Sequence, residues 1–140
     1  QPESSAASDV YKRQPLGDLY KMEVYALARQ YNKRIGKDAV TESTLTKPPS
    51  AELAPDQKDE DSLPPYPVLD EMLRLHIEEG LDATEITAKG HDGVVVREVL
   101  TRLSKNEHKR WQMAPAPRVS KRAFGQGWRQ PLAARHDWRQ

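Results

Sequence analysis

The sequence predicts a mainly α-helical piece of structure joined by long connections, and three observations carry that prediction. Val96, Val99, Leu100 and Leu103 recur at i, i+3, i+4 and i+7, the spacing of a helix that buries one face. Tyr20, Val24, Leu27, Ala28 and Tyr31 repeat the pattern near the start of the chain. No stretch shows the strict alternation of a half-buried strand, and the 11 prolines among 140 residues favour connections over a sheet.

Taken in order, Gln1 to Gln14 has no apolar period and is expected to be disordered. Asp9-Val10-Tyr11-Lys12-Arg13-Gln14 looks like the translated end of a sequencing-library transposon adapter, so residues 1–14 are set aside as an expected artefact. On that expectation the natural chain is cut off near Pro15. Pro15-Leu16-Gly17-Asp18 reads as a turn, with Asp18 as the N-cap of a helix from Leu19 to about Tyr31 and Gly36 closing the segment. Lys21 falls in the first turn, where a lysine opposes the helix dipole; such a charge serves either a ligand or solvent.

Val40 to Pro67 is a long connection holding six prolines and the acidic run Asp56-Gln57-Lys58-Asp59-Glu60-Asp61. A connection of that length is either a functional lid or a disordered linker. Val68 to Glu79 is predicted as a helix ending at Gly80, with Leu69, Met72, Leu73 and His76 on one face, and His76 reads as a packed or half-exposed histidine rather than a ligand. Asp82-Ala83-Thr84-Glu85 forms a capping box for a short helix ending at Gly90. Asp92 then caps the helix that leads into Asn106-Glu107-His108-Lys109-Arg110. These cations are expected at the C-terminal end of that helix, where the dipole favours them. There they either serve as ordinary capping or face a phosphate or carboxylate. Pro115, Pro117, Gly125, Gly127 and Pro131 indicate an irregular tail, with residues 132–140 as its end.

Apolar residues make up 36% of the chain and charged residues 31%, which indicates a modest core. The formal net charge of +1 hides an uneven distribution. Thr41 to Met72 holds eight acidic residues against two basic, and Arg97 to Gln140 eleven basic against three acidic. An anionic partner therefore suits the C-terminal part. The absence of cysteine excludes a disulfide framework, a thiolate nucleophile and a cysteine-ligated zinc. No apolar run approaches the ~20 residues of a membrane span, so no membrane partner is expected and the protein is expected in the cytoplasm. No phosphate-cradling glycine loop and no metal-ligand cluster is visible. Basic residues interleaved with Trp111, Phe124, Trp128 and Trp138 offer an alternative, a helical interaction module whose tail binds nucleic acid or another anion. The aromatics lack regular spacing, which weighs against nucleic acid.

Four separated motifs resemble, in order, the glutamine-dependent NAD synthetases. Pro15-Leu16-Gly17-Asp18-Leu19-Tyr20-Lys21-Met22-Glu23-Val24 looks like the segment that opens a helix after that family's nucleotide-binding sheet. Lys47-Pro48-Pro49-Ser50-Ala51-Glu52-Leu53, the acidic run and Leu63-Pro64-Pro65-Tyr66 resemble its mobile loop, here about residues 40–67. Asn106-Glu107-His108-Lys109-Arg110 and Val119-Ser120-Lys121-Arg122-Ala123-Phe124-Gly125, followed by Trp128-Arg129, resemble its closing segments.

The resemblance implies an α/β parent with a Rossmann-like adenine nucleotide alpha-hydrolase fold. Residues 15–131 would be the C-terminal part of its synthetase domain, mainly helices and loops. It implies an ATP-dependent amidation of deamido-NAD to NAD through an adenylate, assisted by Mg2+, with ammonia derived from glutamine. By position, Lys21 and Ser50 would bind ATP, and His108 and Lys109 would bind deamido-NAD; no catalytic residue and no metal ligand falls in this chain. His108 stands where long forms commonly carry an aromatic residue. The pyrophosphate loop S-G-G-x-D-S and the nitrilase-like glutaminase domain are not in these 140 residues. The chain is therefore expected to be inactive alone, and the full-length enzyme is expected to be a homo-oligomer, leaving apolar faces exposed here.

Overall fold

The computed structural model describes residues 15–46, 63–122, 124 and 127–132. Residues 1–14 and most of the Val40–Pro67 connection, Ser50 included, lie outside them. Among the described residues the order is α1 Lys21–Ile35, α2 Glu42–Thr46, α3 Tyr66–Ile77, α4 Ala83–Ala88, α5 Gly93–Lys105 and α6 Glu107–Trp111, with no strand. The chain divides into two compact units, Tyr20–Asp70 and Gln1–Leu19 with Glu71–Gln140, the boundary falling inside α3.

In the Tyr20–Asp70 unit, α1 starts two residues later than predicted and runs four further. Tyr20, not Asp18, is its N-cap residue. The orphan N–H groups of its first turn are met from elsewhere: Glu23 Oε2 accepts from Tyr20 N at 2.9 Å, and Asp70 Oδ2 accepts from Met22 N at 2.7 Å. Burial pushes the Asp70 carboxyl up, against the lowering pull of the Met22 and Lys21 amides. Gly36 closes the helix in the left-handed region, φ 66°. Asn32 then holds the following chain, its Nδ2 donating to Val40 O at 2.6 Å and its Oδ1 accepting from Val40 N at 3.0 Å. The predicted apolar stripe is not buried. No α1 residue is buried, and Leu27 and Tyr31 are 44% and 51% exposed. The sequence period is that of a helix with an inward face, but the described chain covers it only in part, leaving Tyr20, Val24 and Ala28 half-buried. Short α2 lies inside the stretch expected to be connection and buries Leu45.

Helix α3 begins at Tyr66, two residues before the predicted start, because Pro67 lies in the first turn, where its missing N–H has no helical partner to lose. Its buried residues, Leu69, Met72, Leu75 and Ile77, form a broader face than predicted, with Leu73 and His76 half-buried. The predicted capping box is present: Asp82 Oδ1 accepts from Glu85 N at 2.8 Å, and Glu85 Oε2 accepts from Asp82 N at 2.9 Å. The helix it starts ends at Ala88, and Gly90 follows at φ 102°. Asp92 caps α5 through Val94 N and Val95 N, at 2.8 and 3.1 Å.

Helices α4 and α5 pack together. Gly93 opens α5 where a Cβ would lie 3.2 Å from two Thr87 side-chain atoms. The core of this unit is Met72, Leu75, Ile77, Ile86, Val96, Val99 and Leu100. Of the predicted α5 stripe, Val96, Val99 and Leu100 are buried and Leu103 half-buried.

Candidate functional site

The basic motif after α5 is not its last turn. Asn106 is the C-cap of α5, and a separate five-residue helix, α6, carries Glu107 to Trp111. Successive helical residues are ~100° apart, so the motif splits between two faces. Glu107 and Arg110 are 3% and 4% exposed, while His108 and Lys109 are exposed.

The inward pair is an ion pair between Arg110 Nη2 and Glu107 Oε2. The Arg110 guanidinium also lies 4.3 Å from the Trp128 ring centre and 5.0 Å from that of Phe124. Burial pushes the guanidinium down to about 10. Trp128 meets the His76 ring edge-on at 5.5 Å, and His76 Nδ1 lies 2.8 Å from Leu81 O. His76 is thus a packed histidine, as its sequence position indicated. Glu107 Oε1 accepts from the Trp111 indole N–H at 3.1 Å, and the Arg129 guanidinium stacks on Trp111 at 4.3 Å. Ser104 Oγ donates to Gln130 Oε1 at 3.0 Å, tying α5 to the same irregular tail.

Asp18, expected as a helix cap, is 4% exposed and serves the closing segment instead. One carboxylate oxygen accepts from Val119 N and Ser120 N, both at 2.7 Å, and the other accepts from Ser120 Oγ and Phe124 N, both at 2.9 Å. Burial alone pushes this carboxyl up, but the Ser120, Val119 and Phe124 donors outweigh it and hold it below 3.8. A carboxylate with both oxygens engaged cannot also cap α1, so Tyr20, Glu23 and Asp70 end up meeting that need. The loop fixed this way leaves Lys121 and Arg122 exposed.

Of the four predicted site residues, His108 and Lys109 stand side by side on the outer face of α6. Lys21 is the first residue of α1 in the other unit, exposed, its Nζ 5.2 Å from the Tyr25 ring centre and 5.7 Å from that of Tyr66. Ser50 lies outside the described residues. Among the described residues no three His, Asp or Glu side chains gather to hold a metal ion.

Over residues 8–113 the chain matches the NAD synthase family. The chain belongs to that family. The glutamine-dependent NAD(+) synthetase of Thermotoga maritima is 51% identical over 118 residues, 84% of this chain and 20% of the relative. That of Aquifex aeolicus is 47% identical over the same shares, and that of Acinetobacter baylyi 45% over 124 residues, 89% of this chain and 23% of the relative. A solved glutamine-dependent NAD+ synthetase from Acinetobacter baumannii, in complex with ADP, is similar over 82% of this chain and 19% of its own, at 36% identity and a TM-score of 0.49. The chain thus spans about a fifth of the length of the relatives it matches.

The nucleic-acid alternative is not favoured within this NAD synthase segment. Trp111, Phe124 and Trp128 already stack on Arg129 and Arg110, and Trp138 lies outside the described residues. Sequence reasoning missed Asp18, Glu107 and Arg110 as anchors. The last two were detectable: Glu107 and Arg110 continue the phase of Val96, Leu100 and Leu103, which puts two charges where an apolar stripe predicts burial.

Proposed function

We propose that the chain is part of a glutamine-dependent NAD(+) synthetase of the cytoplasm, and the observation that carries this is the family match across residues 8–113. In that reaction a nicotinate carboxylate oxygen of deamido-NAD attacks the α-phosphorus of ATP and pyrophosphate leaves. Ammonia then attacks the acyl carbon, AMP departs with the carboxyl oxygen, and the nitrogen loses a proton to give the amide of NAD. The glutaminase and pyrophosphate-loop regions that supply ammonia and grip ATP belong to the rest of the enzyme, a homo-oligomer on this reading. Magnesium supplies charge neutralisation at the phosphates. Among the described residues no three His, Asp or Glu side chains gather to hold it.

What this chain contributes is positive charge on fixed supports. Lys109 and His108 contact deamido-NAD from the outer face of α6; Lys109 is exposed and in no ion pair among the described residues. Lys21 contacts ATP phosphate, and Ser50 offers a hydroxyl to the same nucleotide. Each charge-assisted contact is worth ~1.5–3 kcal/mol once water is excluded, and a closed, dry site also protects the adenylate from hydrolysis.

The test exchanges residues 15–131 for the matching segment of the Thermotoga maritima relative. Lys109→Ala should raise the KM for deamido-NAD by about tenfold or more, with the ATP KM within about twofold, and Lys21→Ala should do the reverse. Equal effects on both substrates from either substitution would refute the assignment. The 140-residue chain alone should form no NAD from ATP, deamido-NAD and ammonia.

A further inference from the structure

We infer that Arg110, locked by Glu107 and the Phe124 and Trp128 rings, is the positioning residue that aims Lys109 and His108 at deamido-NAD. This inference rests on the reading above and adds the residue on which its geometry depends.

A five-residue helix has no stability of its own, and Asn106 ends α5 before it starts. The direction of Lys109 is therefore not set by the rigid α5 helix alone, although Asn106 joins the two helices. It also depends on what holds the inner face of α6, where Glu107 and Arg110, three residues apart, are both buried. The Arg110 guanidinium lies over two rings, 4.3 and 5.0 Å from their centres, and pairs through Nη2 with Glu107. Trp128 passes the restraint to His76 on α3. Glu107 passes it to Trp111 at the far end of the turn.

The chemistry of the lock also argues for position over bulk stability. A buried ion pair is often no better than apolar residues of the same volume, and it survives best where it specifies one arrangement. Arginine is the suitable cation, because only a planar guanidinium stacks on two rings while pairing with a carboxylate. With the 107 and 110 side chains turned inward, helical geometry leaves residues 108 and 109 outward. A shift of ~1 Å in such a support costs a large factor in recognition.

The experiment uses the full-length synthetase carrying this segment and reads both KM values. Arg110→Met, which keeps bulk but loses charge and planarity, should raise the KM for deamido-NAD about tenfold and leave that for ATP within about twofold. In a His108→Ala/Lys109→Ala background the same substitution should change the deamido-NAD KM by less than about twofold, since both side chains it aims are gone. An unchanged deamido-NAD KM in Arg110→Met, with Lys109→Ala still raising it, overturns the inference and leaves the functional reading standing. No effect from Lys109→Ala sinks the reading itself. A parallel rise in both KM values shows a merely structural arginine and also overturns the inference. If Arg110→Met does not fold, Trp128→Leu removes one face of the clasp and is judged by the same split.

Discussion

Asp18 accepts hydrogen bonds from both the backbone N–H and the hydroxyl of Ser120, at 2.7 and 2.9 Å, across 102 residues of chain. With Val119 N and Phe124 N added, one buried carboxylate satisfies three backbone donors of a loop that has no regular structure to satisfy them. Asp18→Ala would strand those donors, each at ~1–3 kcal/mol when buried. The expected loss is about 2–4 kcal/mol in urea unfolding of the 140-residue chain. Asp18→Asn keeps one acceptor oxygen but turns an amide N–H₂ toward N–H donors, so it should cost nearly as much. Full stability in both variants would show that the loop is held by its other contacts.

The same carboxylate makes the loop acid-sensitive. Its folded pKa is held below the ordinary 3.8, so its contribution is fully present above 3.8 and is lost as pH falls through the lower folded value. The closing segment should therefore loosen below pH 3.8, read as a change in Trp128 fluorescence. Asp18→Ala should lack this step. A Trp128 signal that moves instead between pH 5 and 7 would point to another group.

How much was legible in the sequence follows from what each element depends on. Caps that need only neighbours, such as Asp82 with Glu85 and Asp92 with the α5 start, were readable from spacing because donor and acceptor lie within three residues. Asp18 was misread because its partners are a hundred residues away, and no local pattern favours a distant loop over the adjacent helix. Lys109 was singled out by its place in a motif, but the break at Asn106 that gives it a turn of its own was not legible there. Stripes of α1 and α5 look alike in sequence. Of the two, only the α5 stripe has buried members among the described residues, Val96, Val99 and Leu100, a difference that periodicity does not report.

Gly36 offers a clean measure of backbone strain. It sits at φ 66°, and a Cβ there would meet nothing within 4 Å. Gly36→Ala therefore adds no clash and should cost only the left-handed penalty of ~1–2 kcal/mol. Asn at the same position should recover part of that loss, since it tolerates this conformation. Thermal unfolding of the three forms decides it; an alanine variant as stable as the parent would mean α1 ends elsewhere in solution.

Trp111 joins two contacts: its indole N–H reaches Glu107 at 3.1 Å, and its ring carries Arg129 at 4.3 Å. Trp111→Phe keeps a ring for the arginine but deletes the donor, leaving a buried carboxylate oxygen with one partner fewer. A loss of about 1 kcal/mol is expected. Trp111→Ala should lose both contacts and cost more. Equal losses in the two variants would mean that the hydrogen bond to Glu107 carries the whole effect and the Arg129 contact adds nothing.

Leu27 and Tyr31 on α1 provide the sharpest contrast with the core. Both lie on an apolar stripe, yet they are 44% and 51% exposed, whereas Ile86 is 0% exposed between α4 and its neighbours. Replacing an exposed side chain removes little buried area, so Leu27→Gln and Tyr31→Gln should each shift stability by no more than about 0.5 kcal/mol. Ile86→Ala should cost about 2–5 kcal/mol, through lost burial and the cavity left behind. Exposed apolar stripes also drive association, so the Leu27→Gln/Tyr31→Gln double variant should sediment as a smaller species at high concentration than the parent chain. If the two glutamine variants destabilise the chain as much as Ile86→Ala does, the α1 stripe is covered in solution.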